Sequence, residues 1–301
     1  MHQRVILLLR KKSMTLTLTK HNAFSLSSLV LGLLYSYYII YWHEVYVDIA
    51  VHKLEDIGLD AFNMVVMKVV LGISGLLCIF IAWRLRWQYK HQRRPQIILH
   101  GLLAFALLIG LWMTTHTLLF LEMNVELVHV PMYAILAFFL YFAFRHWTMV
   151  VLVALPIMLY DEWYQYIVLH AHYETYYSFN DVMCDVLGLA VGLLLLAILG
   201  FYPKRRRLHF VEWIYLAAFS LSGLYFAWLW HKGYLIGYQA DRLLHTRFVF
   251  NQLLNPAQLW QIHSYTFKEY MVFKPIMGVS IVLGSCIALC FAGLFFRERS
   301  I

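Results

Sequence analysis

Carboxylates crowd one short stretch of an otherwise apolar sequence, between Tyr160 and Gly188. The five acids of this stretch are Asp161, Glu162, Glu174, Asp181 and Asp185. Apolar runs flank it on both sides, "MVVLVALPIML" before it and "LGLAVGLLLLAILG" after it. A charged side chain at the centre of a bilayer costs about 2.5–3.5 kcal/mol even on a lenient scale. Acids placed there therefore indicate a site where water, a cation, a basic group or shared protons stabilise them.

Helical spacing groups these acids with other polar residues. An earlier run, "ELVHVPMYAILAFFL", places Glu126, His129 and Tyr133 on one helix face. Acids beside a histidine can act as general acid and base, or can hold a divalent metal. The candidate site residues are Glu126, His129, Asp161, Glu162, Gln165, Asp181 and Asp185. The candidate metal ligands among them are His129, Asp161, Glu162 and Asp185. The sequence contains no His-Glu-x-x-His zinc motif, and it indicates no particular cofactor.

The composition predicts a helical membrane protein. The chain of 301 residues is 62% hydrophobic and 13% charged, about half the charged fraction of a soluble domain. Its apolar residues form blocks of about twenty, the length that an α-helix needs to cross a bilayer. The net charge of +8 comes from short basic clusters between these blocks. That distribution is typical of cytoplasmic loops and excludes nucleic acid as the expected partner.

The predicted architecture is all-α, a polytopic bundle of about eight transmembrane spans. The spans cover residues 24–43, 64–83, 97–119, 127–144, 147–167, 181–202, 214–231 and 276–296. Basic and non-basic connections alternate along the chain, so the positive-inside rule places both termini in the cytoplasm. The long connection 232–275 then lies outside, and Asn255 followed by Pro256 predicts an interfacial helix within it.

These spans bring the acids to one depth. At 1.5 Å per residue, Asp161 lies about 9 Å and Asp185 about 6 Å beneath the outer membrane boundary. A stripe of small residues, Gly188 and Gly192, continues the Asp185 face and allows a neighbouring helix to approach closely. Lys68 on the second span is a possible partner for the acids or a residue that extends to the membrane surface. Glu126 and Asp181 lie close enough to the boundary to be simply hydrated.

The order of these motifs resembles that of the VanZ-like family of membrane proteins. The matching segments are the Glu126–His129 pair, "DEWYQ" with Asp161, and "SFNDVMCDVLG" with Asp185. Asp185 stands where the family usually has Asn, and the preceding loop lacks the family's Pro-Gly-Arg. The resemblance covers 97–202, a four-span core, with a two-span segment before it (1–96) and another after it (203–301). It implies a cell-envelope protein, and members of the family are associated with low-level resistance to teicoplanin.

Three functions remain open on this basis. The first is an outward-facing pocket that binds a polar or anionic envelope ligand, lipid-linked or glycopeptide-type, without chemistry. The second is an intramembrane hydrolase or transferase that acts on a lipid-linked envelope substrate, so the sequence leaves open whether the chain is an enzyme. The third is a proton-coupled transporter. All three share the lipid bilayer as a partner and a multi-pass location, expected in a bacterial cytoplasmic membrane.

Overall fold

The computed structural model describes residues 23–91, 124–169, 176–201, 210–239, 243–244, 247–252, 260–262 and 269–295. Most of these residues are helical, as predicted. The helices are α1 (Ala23–Tyr41), α2 (His43–Ile57), α3 (Leu59–His91), α4 (His129–Phe144), α5 (Trp147–Tyr164), α6 (Phe179–Ile198), α7 (Phe210–His231) and α8 (Pro275–Phe295). A 3₁₀ turn, Asn124–Val128, leads into α4, and a π-helical turn, Gln165–Leu169, extends α5.

Four of these helices are long and apolar enough to cross a membrane. They cover Ala23–Tyr41, Glu126–Phe144, Phe179–Ile198 and Pro275–Gly293, and each coincides with a predicted span. The predicted spans 64–83, 147–167 and 214–231 are also helical but do not belong to this set. The predicted span 97–119 lies outside the described residues. These four helices indicate a membrane protein.

Two segments expected to be connections are helical instead. The acidic segment after the first span forms α2, which starts one residue after Trp42. The basic segment after residue 83 continues α3, so this helix runs for 33 residues without a break. A polar sequence that lacks Pro and Gly extends a helix readily, because Lys, Arg, Gln and Leu are good helix formers.

The core forms where α4, α5, α6 and α8 pack together. The backbones of α4 and α6 come close together, because a Cβ atom on Gly188 would lie 2.5 Å from the Val130 carbonyl oxygen, and one on Gly192 would lie 2.5 Å from that of Ala134. The predicted stripe of small residues therefore does bring two helices together. A tight turn at Arg145, whose φ is 56°, then reverses the chain between α4 and α5.

Short strands occupy the long connection before α8. Strands β1 (Leu235–Tyr238) and β2 (Leu243–Leu244) flank β3 (Arg247–Asn251), β1 in parallel and β2 antiparallel. Strands β4 (Trp260–Ile262) and β5 (Glu269–Met271) form a second antiparallel pair.

The prediction of an interfacial helix is wrong for residues 260–262 and 269–271, which form β4 and β5. The strands contain Trp, Ile and Tyr, which suit a paired strand, and Trp260 pairs with Met271 across the two strands. Asn255 and Pro256, which predicted the start of that helix, lie outside the described residues.

The first sheet is attached to the end of the bundle at which α5 stops and α6 begins. The Tyr166 hydroxyl donates a hydrogen bond of 3.0 Å to the Val249 carbonyl, and the Tyr177 N–H donates one of 2.7 Å to the Phe250 carbonyl. Aromatic rings fill the space between sheet and helices, and Tyr177 contacts Phe248 and Phe250 at centroid distances of 6.4 and 5.6 Å. This sheet covers the same end of the bundle that holds the predicted acids.

Candidate functional site

A buried histidine and a buried aspartate meet between α4 and α6. The His129 Nδ1 and Asp185 Oδ1 atoms lie 2.8 Å apart, a hydrogen bond in which the imidazole donates to the carboxylate. Only 4% of His129 and 1% of Asp185 is exposed. The close α4–α6 packing at Gly188, three residues after Asp185, holds the two side chains at this distance. The two residues lie 56 positions apart, and helix packing alone brings them together.

A second aspartate joins this pair from α5. Asp161 is 0% exposed. Its Oδ2 atom accepts a 2.8 Å hydrogen bond from the Tyr133 hydroxyl, and its Oδ1 atom accepts one of 3.2 Å from Gln165 Nε2. Helical spacing in the sequence had already grouped both donors, Tyr133 and Gln165, with the candidate site residues. Ligand atoms of His129, Asp161 and Asp185 all lie within 4.8 Å of one another, and these three residues are called the triad below.

Glu162 is buried but has a different role from the triad. Its Oε1 atom accepts a 2.7 Å hydrogen bond from the backbone N–H of Ser178, the residue that caps α6. This contact joins the end of α5 to the start of α6 across the α5–α6 connection. Among the described residues, the triad is the one close group of three metal-ligating side chains. Glu162, predicted as a candidate ligand, therefore stabilises the hairpin.

The remaining candidates lie at the edge of the triad. Asp181, in the first turn of α6, is partly buried, and its backbone N–H bonds to Ser178 Oγ at 3.3 Å. The Asp181 carboxylate is near enough for its charge to act on His129 and Asp161. Glu126 is partly exposed in the turn before α4. Lys68 is exposed on α3.

The triad is enclosed by protein, whereas the sequence predicted an open pocket. The helices α4, α5 and α6 supply its residues, and the first sheet packs against the same end of the bundle at Tyr166 and Tyr177. At the exposed surface next to Asp161 in the sequence, the hydroxyls of Tyr41 and Tyr160 lie 3.1 Å apart and join α1 to α5. Tyr41 also contacts Tyr164 edge-on at a centroid distance of 4.9 Å. The side chains of His129, Asp161 and Asp185 do converge as predicted, but all three are buried.

Sequence reasoning missed one residue of this region, His43. It is the first residue of α2, it is 8% exposed, and its ring centroid lies 5.6 Å from that of His129. A histidine just after the aromatic end of a span looks like an ordinary interfacial residue. Its distance of 86 positions from His129 in the sequence gives no sign of the contact.

Tyr177 provides a neutral phenol next to the triad, in the short connection before α6. Burial, with the Glu162 carboxylate nearby, raises the pKa of the Tyr177 phenol well above its ordinary value. The group therefore stays protonated, and its hydroxyl donates a 3.0 Å hydrogen bond to the Leu159 carbonyl.

This arrangement favours cations or mobile protons. Two carboxylates and one imidazole can share a proton, hold a metal ion, or serve as acid and base toward a bound substrate.

Comparison with protein-family models, with curated proteins and with solved structures found no match. The resemblance to the VanZ-like proteins therefore depends on the motifs alone and stays a prediction.

Proposed function

We propose that this chain is a polytopic membrane protein that binds a polar envelope ligand at the triad. One observation supports this function above all others: three ionisable side chains from three helices meet inside a largely apolar core. Burying such groups is costly, so intramembrane ionisable residues are functional by default. A structural role alone is met more cheaply by apolar side chains of similar volume.

In this proposal the triad lies near the outer face of a bacterial cytoplasmic membrane. About eight spans and cytoplasmic termini follow from the alternation of basic and non-basic connections in the sequence. The first sheet then lies outside, over the triad. A ligand from the envelope reaches the triad when the sheet, or the contact between Tyr41 and Tyr160, moves away from it.

The order of the residues in the triad supports a relation to the VanZ-like proteins. Each triad residue comes from a different one of the three matching segments, and the residues share one site although the segments are separate in the sequence. Asp185, at the position where the family usually has Asn, bonds to His129. By this relation the ligand is lipid-linked or of the glycopeptide type.

Native mass spectrometry of the full chain tests this function. The protein is purified from a bacterial membrane in mild detergent, and bound species are released and identified. We expect a polar lipid or lipid-linked adduct on the wild type, and its loss from Asp161→Asn and Asp185→Asn. Asp48→Asn, which changes an exposed acid on α2, is the matched control and keeps the adduct. A wild type without any adduct, or equal adducts on all four proteins, would overturn the proposal.

An intramembrane hydrolase or transferase is the second candidate, favoured by the hydrogen bond between His129 and Asp185. A carboxylate that fixes an imidazole is the usual arrangement of a general base, and Asp161 is close enough to act as its partner acid. Incubation of the protein in liposomes with the ligand identified above would show turnover that His129→Ala abolishes. An unchanged ligand leaves binding as the function.

A proton-coupled transporter stays a prediction, and pH-gradient-driven flux in the same liposomes would be its sign.

A further inference from the structure

We propose that the triad is the binding site of one divalent transition-metal ion, through which the envelope ligand is held. This inference depends on the proposed function only for the ligand. The metal site itself stands on the geometry of His129, Asp161 and Asp185. Each of these residues comes from a different helix, so the site exists only in the folded bundle.

The spacing of the triad fits a single ion. Opposite ligand atoms of an ion with bonds of about 2.1 Å lie about 4.2 Å apart. The ligand atoms of the triad lie within 4.8 Å of one another, and neighbouring ligands of a tetrahedral ion lie about 3.4 Å apart, so side-chain shifts of up to about 1 Å close them around an ion. When the ion enters, the proton shared by His129 and Asp185 in their 2.8 Å hydrogen bond is released to solvent, and both side chains bond to the metal instead.

The charges of the site favour a cation. Two buried aspartates form the triad, and Asp181 adds a further carboxylate at its edge. Lys68, the lysine that the sequence offered as a counter-charge, is exposed on α3. A divalent ion neutralises both triad carboxylates and leaves the imidazole as a neutral ligand.

The surroundings of Asp161 are those of an oriented metal ligand. The Tyr133 hydroxyl donates to one carboxylate oxygen and Gln165 donates to the other, at 2.8 and 3.2 Å. Such outer hydrogen bonds fix the orientation of metal ligands, and their loss weakens metal binding by about 10–100-fold. Tyr133 is 0% exposed, so this donor is held by packing along its whole length.

A second imidazole, that of His43, lies beside His129. His43 begins α2, is 8% exposed, and has its ring centroid 5.6 Å from that of His129. The triad itself, with one imidazole and two carboxylates, is a mixed nitrogen and oxygen donor set. Imidazole suits Zn²⁺ and Fe²⁺, and carboxylates suit Mn²⁺, whereas Mg²⁺ and Ca²⁺ prefer oxygen alone.

The metal also explains how an acidic site would bind an anionic ligand. Three protein ligands leave coordination positions open for water or another group. A phosphate or carboxylate on a lipid-linked ligand can fill these positions, although the triad itself would repel it. The ligand class is therefore an anionic headgroup that binds the metal directly.

Metal analysis of the full chain tests the inference. The protein in detergent micelles is stripped with a chelator, dialysed separately against Mn²⁺ and Zn²⁺, and measured by plasma mass spectrometry. We expect about one tightly held ion per wild-type chain, and loss of that ion in Asp161→Asn and His129→Ala. Tyr133→Phe keeps all three ligands and should weaken binding by about 10–100-fold. His52→Ala, an exposed histidine on α2, is the control and binds as the wild type does.

Each result decides between the metal site and the wider proposal. A wild type that binds neither ion, or triad variants that bind like His52→Ala, would overturn the metal site. If Asp161→Asn and His129→Ala fail to fold, the graded loss in Tyr133→Phe still tests it, because that variant removes one hydroxyl only. An envelope adduct without metal refutes this inference and leaves the proposed function intact. A bound metal without an envelope adduct supports this inference and refutes the proposed function.

Discussion

Basic and acidic side chains pair on α2 and in the triad, and the surroundings of these two regions differ. On α2, Lys53 Nζ and Asp56 Oδ2 form an ion pair of 3.1 Å, with side chains 65% and 62% exposed. Nearby, the ring of His52 bonds only to the Asp48 carbonyl, at 2.9 Å. In the triad, His129 and Asp185 lie 2.8 Å apart with side chains 5% and 2% exposed.

The contrast teaches that environment, and not residue type, decides what these groups do. Water solvates the charges on α2, and an exposed ion pair contributes about 0–1 kcal/mol. Solvent is excluded from the triad, so each group there depends on its protein neighbours, and removing one partner leaves the other without compensation. Variants that change one region and leave the other intact measure this difference.

The largest expected effect is that of His129→Ala. It leaves Asp185 buried without the hydrogen bond that it accepts, and breaking a buried pair in this way costs about 3–5 kcal/mol. His52→Ala on α2 should change stability by less than about 0.5 kcal/mol. Unfolding in dodecyl maltoside with added dodecyl sulfate, followed by tryptophan fluorescence, measures both. Equal midpoints for the two variants would contradict the comparison.

The next effect is that of Gly188→Ala, which changes helix packing beneath the triad. The new methyl group would lie 2.5 Å from the Val130 carbonyl oxygen, so α4 and α6 must move apart, and overpacking of this kind costs about 1–3 kcal/mol. Gly223→Ala on α7 is the control, since a Cβ there meets nothing within 4 Å. The same unfolding assay applies. If Gly188→Ala matches Gly223→Ala, the close α4–α6 contact does not hold the triad together.

A smaller effect is expected for Tyr133→Phe, which tests one hydrogen bond of the site. The change leaves Asp161 Oδ2 without the donor at 2.8 Å, and an unsatisfied buried acceptor costs about 1–3 kcal/mol. Gln165 still donates to the other oxygen, so we expect the low end of that range. Tyr37→Phe alters an exposed tyrosine and should leave the unfolding midpoint unchanged. A midpoint of Tyr133→Phe equal to that of Tyr37→Phe would mean that this hydrogen bond contributes nothing to stability.

Helical spacing predicted the local parts of the site. Asp161 and Gln165 are four residues apart, and they bond as that spacing requires. His129 and Tyr133, also four apart, both face the triad from α4. The small residues Gly188 and Gly192 predicted a close helix contact, which is present. These features follow from the period of one helix, which a sequence displays directly.

The parts that depend on distant contacts were not predictable. His43 approaches His129 through the path of α1 and α2, and nothing in its local sequence sets that path. The strands between α7 and α8 are two to five residues long, and pairing partners rather than local pattern stabilise such strands. The triad is buried because three helices that are separate in the sequence pack around it. Open or closed access is thus a tertiary property.

The smallest expected effect is that of breaking the exposed ion pair on α2. Lys53→Ala removes the pair with Asp56, whose atoms lie 3.1 Å apart three residues along one helix face. An exposed pair of this kind contributes about 0.3–0.5 kcal/mol, and salt screens it. The unfolding midpoint should therefore shift slightly in low salt and not at all in about 1 M salt, where the screening length falls to about 3 Å. The effect of His129→Ala should persist in high salt, because the triad is shielded from solvent ions. A salt-sensitive triad would mean that solvent reaches it, and the two regions would then differ in degree only.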